Sequence, residues 1–174
     1  MTTPRRWFDR KFELGLGESA APELLERLRC TPQRLSEAVR GLPSEVLTAK
    51  RDGKWSIQEN AGHLLDLEPL WEQRLDDYDG GATELHPADL ENRKTHEAAH
   101  NDRSISDILV DFSTVRGRIV ERIARMSPAE LMRTALHPRL HQPMSVVDLC
   151  FFVAEHDDHH LRTIEELRFL FAGR

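Results

Sequence analysis

Long apolar runs and paired cysteines are what this sequence of 174 residues lacks most clearly. No stretch approaches the roughly 20 apolar residues that a membrane-spanning helix needs, and the N-terminus has no apolar run of signal-peptide length. The two cysteines, Cys30 and Cys150, are far apart and outside any C-x-x-C pattern. This usage is typical of reduced core thiols in a cytoplasmic protein. We therefore expect a cytoplasmic protein that does not associate with membranes.

Basic clusters and strand patterns are missing as well. Asp and Glu outnumber Lys and Arg by 30 to 24, the net charge is −6, and no basic run is interleaved with aromatic residues. This charge pattern disfavours nucleic-acid binding. Period-two alternation is absent and β-branched residues are sparse, which predicts an all-α chain. The length suffices for one domain with a real core and is too short for two.

Four long amphipathic segments account for most of the chain, and they predict a four-helix bundle. The segments cover residues 22–41, 56–78, 104–126 and 145–171. A long polar connector at 82–103 joins the second helix to the third. A short helix from 127 to about 134 and a linker containing His137 and His141 come before the fourth.

The first 20 residues are expected to form an irregular N-terminal arm in front of a bundle domain at 21–174. Trp7, Phe8 and Phe12 could dock this arm on the bundle, and two glycines loosen it before the first helix.

Local signals mark where two of the helices begin. Ser56 and Glu59 form a capping box at the start of the second helix. Ser145 and Asp148 form a similar pair at the start of the fourth helix, and Gly173 follows its end.

Three residues within apolar segments need a separate interpretation. Thr31 and Pro32 have the pattern of an N-cap followed by the first residue of a helix, so we expect the first helix to be broken or kinked there. Arg116 falls inside the apolar stripe of the third helix. It could contact an anionic ligand, although such an arginine more often extends its charged end to the rim.

The fourth helix carries two histidines within its apolar stripe. At about 100° per residue, His156 and His160 lie on this stripe, whereas His159 lies at its margin and Asp158 points away. A single histidine there would usually be a core residue with a satisfied hydrogen bond, but two at i and i+4 each need a partner. The same spacing brings two ring nitrogens within reach of one ion. We therefore favour a metal site, which needs a third ligand.

His63 on the second helix is the candidate for that third ligand. It lies at the margin of the apolar face, where the ordinary interpretation is a half-exposed polar residue but a ligand could project into a cleft. Bundles build metal sites from inward-pointing side chains on facing helices. Three histidines leave one coordination position open, as in catalytic zinc sites.

The ligand set limits the choice of metal, and two carboxylates near the candidate ligands could support it. Three imidazoles suit zinc, nickel, copper or iron. We expect a divalent transition metal, zinc or nickel, with iron and copper as alternatives. Glu59 and Asp157 could orient a ligand ring, or they could be an ordinary capping carboxylate and an ordinary solvated one.

The connector between the second and third helices contains an H-E-x-x-H motif from His96 to His100. In zinc proteases this motif lies on a helix packed into the core, so apolar residues should flank it at helical spacing. Its neighbours here are all polar: Glu91, Asn92, Arg93, Lys94, Asn101 and Asp102. We interpret the motif as a chance match in a solvated loop or lid. The loop can still border the site, because long connectors in small domains are often functional.

Two motifs together resemble those of the DinB/YfiT-like superfamily of metal-dependent enzymes. They are W-S-x-x-E-x-x-x-H, ending at His63, and H-x-x-H-H, running from His156 to His160. The resemblance, to which D-L-E-N-R at 89–93 contributes, extends over residues 22–171. It implies a four-helix bundle, commonly dimeric, with a divalent metal held by His63, His156 and His160. It also implies that His159 is an additional histidine that is not a ligand.

The resemblance further implies a chemistry based on small thiols. Characterised branches of the superfamily are S-transferases or isomerases that use bacillithiol, mycothiol or glutathione. An open metal position can bind a thiol, lower its pKa and present a thiolate. We therefore expect a homodimeric S-transferase with a small-molecule substrate and a low-molecular-weight thiol as co-substrate. The alternatives are a hydrolase that uses metal-activated water and a non-catalytic metal-binding dimeric module.

Overall fold

Four long helices dominate the computed structural model, in which residues 7–172 are described. They are α1 (Ala21–Val39), α3 (Ile57–Asp79), α5 (Ile105–Ala124) and α7 (Val146–Ala172). Both α1 and α3 pack against α5 and against α7, so the four helices surround a common interior. The predicted four-helix bundle is confirmed. Within residues 7–172, no helix combines the length and apolar character needed to cross a bilayer.

The apolar interior consists of two clusters, and all four long helices contribute to each. One cluster is centred on Trp71 and Phe152, and the other contains Leu64 and Phe112. Of the two cysteines, Cys150 is buried in the first cluster, but Cys30 is only half-buried, so its prediction as a core thiol was wrong; both thiols are free. The bundle is therefore held together by apolar packing rather than by covalent cross-links.

The predicted capping residues open α3 and α7 as expected. The Ser56 hydroxyl accepts a hydrogen bond from the backbone N–H of Glu59 (3.0 Å), and the Glu59 carboxylate accepts from the backbone N–H of Ser56 (2.8 Å). Ser145 and Asp148 make the same reciprocal pair of bonds, both at 3.0 Å. Gly173, expected just past the end of α7, lies outside the described residues.

Pro32 lies inside α1, which is a single helix, so of the two predicted alternatives the break with a new start at Thr31 was wrong. The Thr31 hydroxyl does not cap a helix and lies 2.9 Å from the Asp157 carboxylate of α7. Pro32 has no N–H to donate to the carbonyl of Leu28 one turn earlier. That carbonyl instead accepts a 3.5 Å hydrogen bond from Arg116 of α5. Contacts from two other helices thus support the proline inside α1.

A short β-hairpin precedes α7, where the sequence predicted only the end of a short helix and a linker. The helix α6 (Pro128–Leu131) is shorter than predicted. Strand β1 (Thr134–His137) then pairs antiparallel with β2 (Gln142–Ser145), with Ala135 opposite Met144. Each strand has four residues, too few for period-two alternation to be visible in the sequence.

The connector between α3 and α5 is more ordered than its polar composition suggests. It contains α4 (Arg93–Glu97) and a 3-10 turn (His100–Asp102), both of which pack on α3. Another short helix, α2 (Ser44–Leu47), lies between α1 and α3. Thr95 and His100 are buried in the contact between the connector and α3.

The described part of the N-terminal arm is docked on α7. The Asp148 carboxylate, already part of the α7 cap, also accepts hydrogen bonds from the backbone N–H groups of Gly15 (2.8 Å) and Leu16 (2.9 Å). Phe12 is buried and its ring contacts Trp7, whereas Phe8 is 52% exposed. Residues 1–6 of the predicted arm lie outside the described residues.

Candidate metal centre

Three histidines from two helices meet in the interior of the bundle. His63 lies on α3, and His156 and His160 lie one turn apart on α7. One nitrogen of each ring lies within 4.8 Å of the corresponding nitrogens of the other two. The residues are only 3%, 4% and 8% exposed, respectively. The structure therefore brings together the three residues that the sequence singled out, and it buries His63 more deeply than its marginal position on α3 suggested.

Hydrogen bonds from the connector fix the orientation of His63. Its Nδ1 lies 2.9 Å from the hydroxyl oxygen of Thr95. That hydroxyl donates its only proton to the Asp66 carboxylate (2.9 Å), so it accepts from His63 Nδ1–H. The lone pair of the neutral ring is therefore on Nε2.

An asparagine on α3 fixes His160 in the same way. The Asn60 side-chain nitrogen donates to the backbone carbonyl of Ser56 (2.8 Å), which directs the amide oxygen of Asn60 towards the histidine. His160 Nδ1 lies 2.9 Å from this oxygen, and Nδ1–H must donate to it because an amide oxygen can only accept. Nε2 of His160 therefore also carries a lone pair.

His156 differs from the other two because its Nδ1 is buried and has no hydrogen-bond partner among the described residues. Aromatic rings surround it: the centroid of Trp7 lies 5.0 Å away and that of Trp71 lies 6.1 Å away. A buried polar atom without a partner is uncommon in native proteins and points to a missing ligand or to a strained functional site.

Burial keeps the three rings neutral. Loss of water contact lowers the pKa of His63 from 6.5 to about 4. The same cause, followed by the neighbouring imidazoles, lowers the pKa values of His156 and His160 well below 6.5. At neutral pH each ring therefore offers a lone pair, which is the form of histidine that binds a metal.

The histidine cluster opens into a cavity of about 1550 Å³. Aromatic side chains form much of its wall, among them Trp7, Trp55, Trp71 and Phe152. The Trp55 ring lies 4.6 Å from the ring of His63, centroid to centroid. A small molecule in this cavity would reach the three histidines and contact apolar rings at the same time.

Comparisons with known proteins agree with this architecture. The family model of the DinB superfamily matches residues 27–164. The chain belongs to the DinB superfamily. Among solved structures, it is similar to YfiT from Bacillus subtilis, described as a probable metal-dependent hydrolase with an unusual four-helix bundle topology. The two share 19% identity over 94% of each chain, with a TM-score of 0.79. A comparison with curated proteins finds no match.

Two carboxylates that could have oriented the histidines of this DinB-superfamily chain have other partners. Glu59 caps α3 and forms a 2.7 Å ion pair with Lys50. Asp157 points inward as expected, but its carboxylate binds Arg116 of α5 rather than a histidine. Both alternatives for Arg116, an anionic-ligand contact and an extended rim residue, are wrong. Its guanidinium is fully buried between Asp157 and Glu68, and burial raises the pKa of Glu68 to about 7.

The H-E-x-x-H segment does not form a metal site in the described structure. The helix α4 ends at Glu97, so His96 and His100 do not share a helix. His96 is exposed, whereas His100 is buried and its Nε2 lies 2.7 Å from the Asp66 carboxylate. Interpreting the motif as a chance match in a loop was therefore sound, and the loop does border the histidine cluster through Thr95.

The residues that orient the histidines were not predicted from the sequence. Asn60 and Asp66 stand three residues before and after His63 on α3, a spacing that places all three near one side of the helix. This spacing could have identified them. Thr95 offers no such signal, because its contact with His63 depends on how the connector folds back onto α3. His159 and Asp158 lie outside the cluster as expected, both half-buried.

Proposed function

We propose that His63, His156 and His160 bind one divalent transition-metal ion and that the protein is a metal-dependent enzyme. The observation that carries this proposal is the convergence of three buried, neutral imidazoles within 4.8 Å of one another. In two of them the Nδ1–H group is already held by a hydrogen bond, which leaves Nε2 as the ligand atom. No hydrogen bond within the described residues holds Nδ1 of His156, so this ring is free to adopt the tautomer that an ion requires.

The donor set favours zinc or nickel, with iron and copper as the alternatives. When bound, the ion would act as a Lewis acid and lower the pKa of a thiol or a water molecule at a free coordination position. The residues around it hold the rings in place: Thr95 and Asp66 act on His63, and Asn60 acts on His160. Trp7 and Trp55 reduce the access of water to these rings.

The reaction that we favour is transfer of a low-molecular-weight thiol to a small-molecule electrophile. The cavity, at about 1550 Å³, is larger than the roughly 300–1,000 Å³ typical of a site for one ligand, so a thiol and an electrophile could occupy it together. Neither Cys30 nor Cys150 lines the cavity. The nucleophilic sulfur would therefore come from a co-substrate.

A hydrolase is the second candidate, and the likeness to YfiT supports it. That protein is described as a probable metal-dependent hydrolase. In a hydrolase, water would take the place of the thiol. The two candidates share the metal site and differ in the nucleophile.

The metal site is tested by elemental analysis of purified variants. His63→Ala and His160→Ala should each lose most of the transition metal that accompanies the unchanged protein, because each removes one of three ligands. His96→Ala is the matched control, since this exposed histidine lies in the adjacent connector and should leave the metal content unchanged. Full metal content in both ligand variants, with loss in His96→Ala, would move the site to the connector.

The reaction is tested by offering the metal-loaded protein both substrate types. A thiol transferase should conjugate monobromobimane to at least one of bacillithiol, mycothiol or glutathione, and His160→Ala should abolish this activity. Cleavage of ester or amide substrates without any thiol conjugation would instead establish the hydrolase.

A further inference from the structure

Two arginines at one end of the cavity have no carboxylate partner. Arg74 of α3 is 1% exposed, and Arg139 in the hairpin loop is half-buried; both line the cavity. Among residues 7–172, neither guanidinium forms an ion pair; the Asp77 carboxylate acts on Arg74 only at a distance, and no carboxylate acts on Arg139. Arg74 Nε donates to the backbone carbonyl of His86 (3.0 Å), and the buried Nη2 of Arg139 has no hydrogen-bond partner.

Comparison with the other described arginines shows that a buried or half-buried arginine without an ion pair is unusual in this protein. Arg116, equally buried, is bound by two carboxylates. The arginines that lack an ion pair elsewhere, such as Arg125 and Arg162, are exposed to water. A buried guanidinium is costly unless a counter-charge accompanies it. Burial lowers the pKa of Arg74 to about 10, so the group is still charged at neutral pH.

His137 adds a third hydrogen-bond donor to this end of the cavity. Its Nδ1 accepts from the backbone N–H groups of Arg139 and Leu140, both at 3.2 Å. A neutral ring in this state carries its proton on Nε2. Nε2 lies 3.3 Å from Arg74 Nη1, so two N–H donors face each other. A hydrogen-bond acceptor placed between His137 Nε2–H and Arg74 Nη1–H would satisfy both donors. The other tautomer of His137, with its proton on Nδ1, would leave the backbone N–H groups of the loop without an acceptor.

An aromatic wall connects these donors with the histidine cluster. The guanidinium of Arg74 lies 5.4 Å from the ring of Trp71, which is itself 6.1 Å from the ring of His156. The guanidinium of Arg139 lies 5.9 Å from the ring of Phe152. Arg74 is thus two ring contacts away from the candidate metal ligand His156, within the reach of one small organic molecule.

We propose that Arg74, Arg139 and His137 form a subsite for an anionic group, a carboxylate or a phosphate, of the molecule that the enzyme acts on. The proposal that the bound anion belongs to a substrate rests on the function proposed above, whereas anion binding by these three residues does not need the metal. A substrate would place its anionic group at the arginines, its apolar part along Trp71 and Phe152, and its reacting atom at the histidine cluster. The class of substrate is therefore a small organic acid or an organic phosphate.

Benzoate and benzamide are a suitable pair of probes, because they differ mainly in charge and both fit an aromatic wall. Isothermal titration of the purified full-length protein should show benzoate binding at least tenfold more tightly than benzamide, with inorganic phosphate competing. Arg139→Gln and Arg74→Gln should each weaken benzoate binding about tenfold or more and leave benzamide unchanged. Arg125→Gln, an exposed arginine without an ion pair, is the control and should change neither. If Arg74→Gln does not fold, Arg139→Gln carries the test.

The variant His160→Ala separates this proposal from the proposed metal function. Benzoate binding should persist in His160→Ala, because the arginines are intact. Binding that disappears in His160→Ala and is unaffected by the arginine variants would assign the carboxylate to the metal and overturn the anion subsite. Equal affinity for benzoate and benzamide would also overturn it. An absence of metal in the unchanged protein, with arginine-dependent benzoate binding retained, would refute only the metal function.

Discussion

Thr95 shows how a residue outside the histidine cluster can control it. Its hydroxyl joins His63 to Asp66 by two hydrogen bonds of 2.9 Å each. Such bonds hold a metal ligand in one tautomer and one orientation, and their loss typically lowers metal affinity 10–100-fold. Valine has nearly the same shape as threonine and lacks the hydroxyl. Thr95→Val should therefore lower the metal affinity by about 10–100-fold without unfolding the protein, as measured by competition with a chelator.

A threonine on the outer face of α5 is the control for this variant. The Thr114 hydroxyl is exposed, and among residues 7–172 its one partner is the carbonyl of Val110 in its own helix (2.8 Å). Thr114→Val should leave the metal affinity unchanged. An unchanged affinity in Thr95→Val as well would show that the Thr95 bond does not orient the ligand.

The buried histidines also make the stability of the metal-free protein depend on pH. The pKa of His63 is about 4 in the folded state and 6.5 as its ordinary value, so the unfolded chain binds more protons between these two pH values. The stabilisation is complete above pH 6.5 and is lost as the pH falls towards 4. The contribution of His63 is roughly 3 kcal/mol.

Chemical denaturation of chelator-treated protein across this pH range should show the loss. His63→Gln should show a shallower decline, because glutamine does not titrate. The same slope in both proteins would mean that other groups cause the acid sensitivity.

At the scale of elements, the contact between α3 and the connector depends on Gly62. A Cβ atom at this position would lie 2.2 Å from the ring of His100. Replacing a glycine inside a helix by alanine normally stabilises it by about 0.5–1 kcal/mol. Gly62→Ala should instead displace His100 from Asp66 and loosen the connector. Amide hydrogen exchange over residues 93–102 should be faster in this variant, and the metal affinity should fall because Thr95 moves with the connector.

Gly117 on the exposed side of α5 provides the matched comparison. An added Cβ there meets no atom within 4 Å. Gly117→Ala should raise the free energy of unfolding by about 0.5–1 kcal/mol and leave hydrogen exchange in the connector unchanged. Gain of stability in both variants would contradict the close approach of His100.

The elements that the sequence predicted are those whose signals are local. Ser56 and Ser145 lie next to the groups that they cap, and the apolar period of each long helix is contained within it. Pro32 was misinterpreted because Arg116, which bonds the Leu28 carbonyl that Pro32 leaves without a helical donor, comes from another helix. The hairpin was missed because its two short strands stabilise each other and neither has a pattern of its own.

The same distinction applies to the candidate site. His156 and His160 are one turn apart, so helical spacing alone paired them. Linking them to His63 needed the bundle topology and the family resemblance. Thr95 could not be found, because a polar connector reveals nothing about which of its residues will be buried.

At the scale of the whole molecule, two apolar clusters stabilise the bundle independently of the histidines. Residues of both clusters come from all four long helices. We therefore expect metal removal to leave the helix content largely intact. The free energy of unfolding should fall only by the binding free energy of the metal, with a corresponding decrease in the unfolding temperature. Circular dichroism before and after chelation measures this. Collapse of the helical signal would identify a structural metal and the non-catalytic alternative.

The homodimer remains a prediction at this scale. Multi-angle light scattering of the purified protein should give twice the chain mass of 20.1 kDa. A single-chain mass at micromolar concentration would refute it.

The three tryptophans of the chain all line the cavity. The rings of Trp7 and Trp71 lie 5.0 and 6.1 Å from His156, and that of Trp55 lies 4.6 Å from His63. The tryptophan fluorescence of this protein therefore comes entirely from residues that line the cavity. Nickel or copper bound between the histidines would quench this fluorescence, so metal binding could be measured by fluorescence titration without a label.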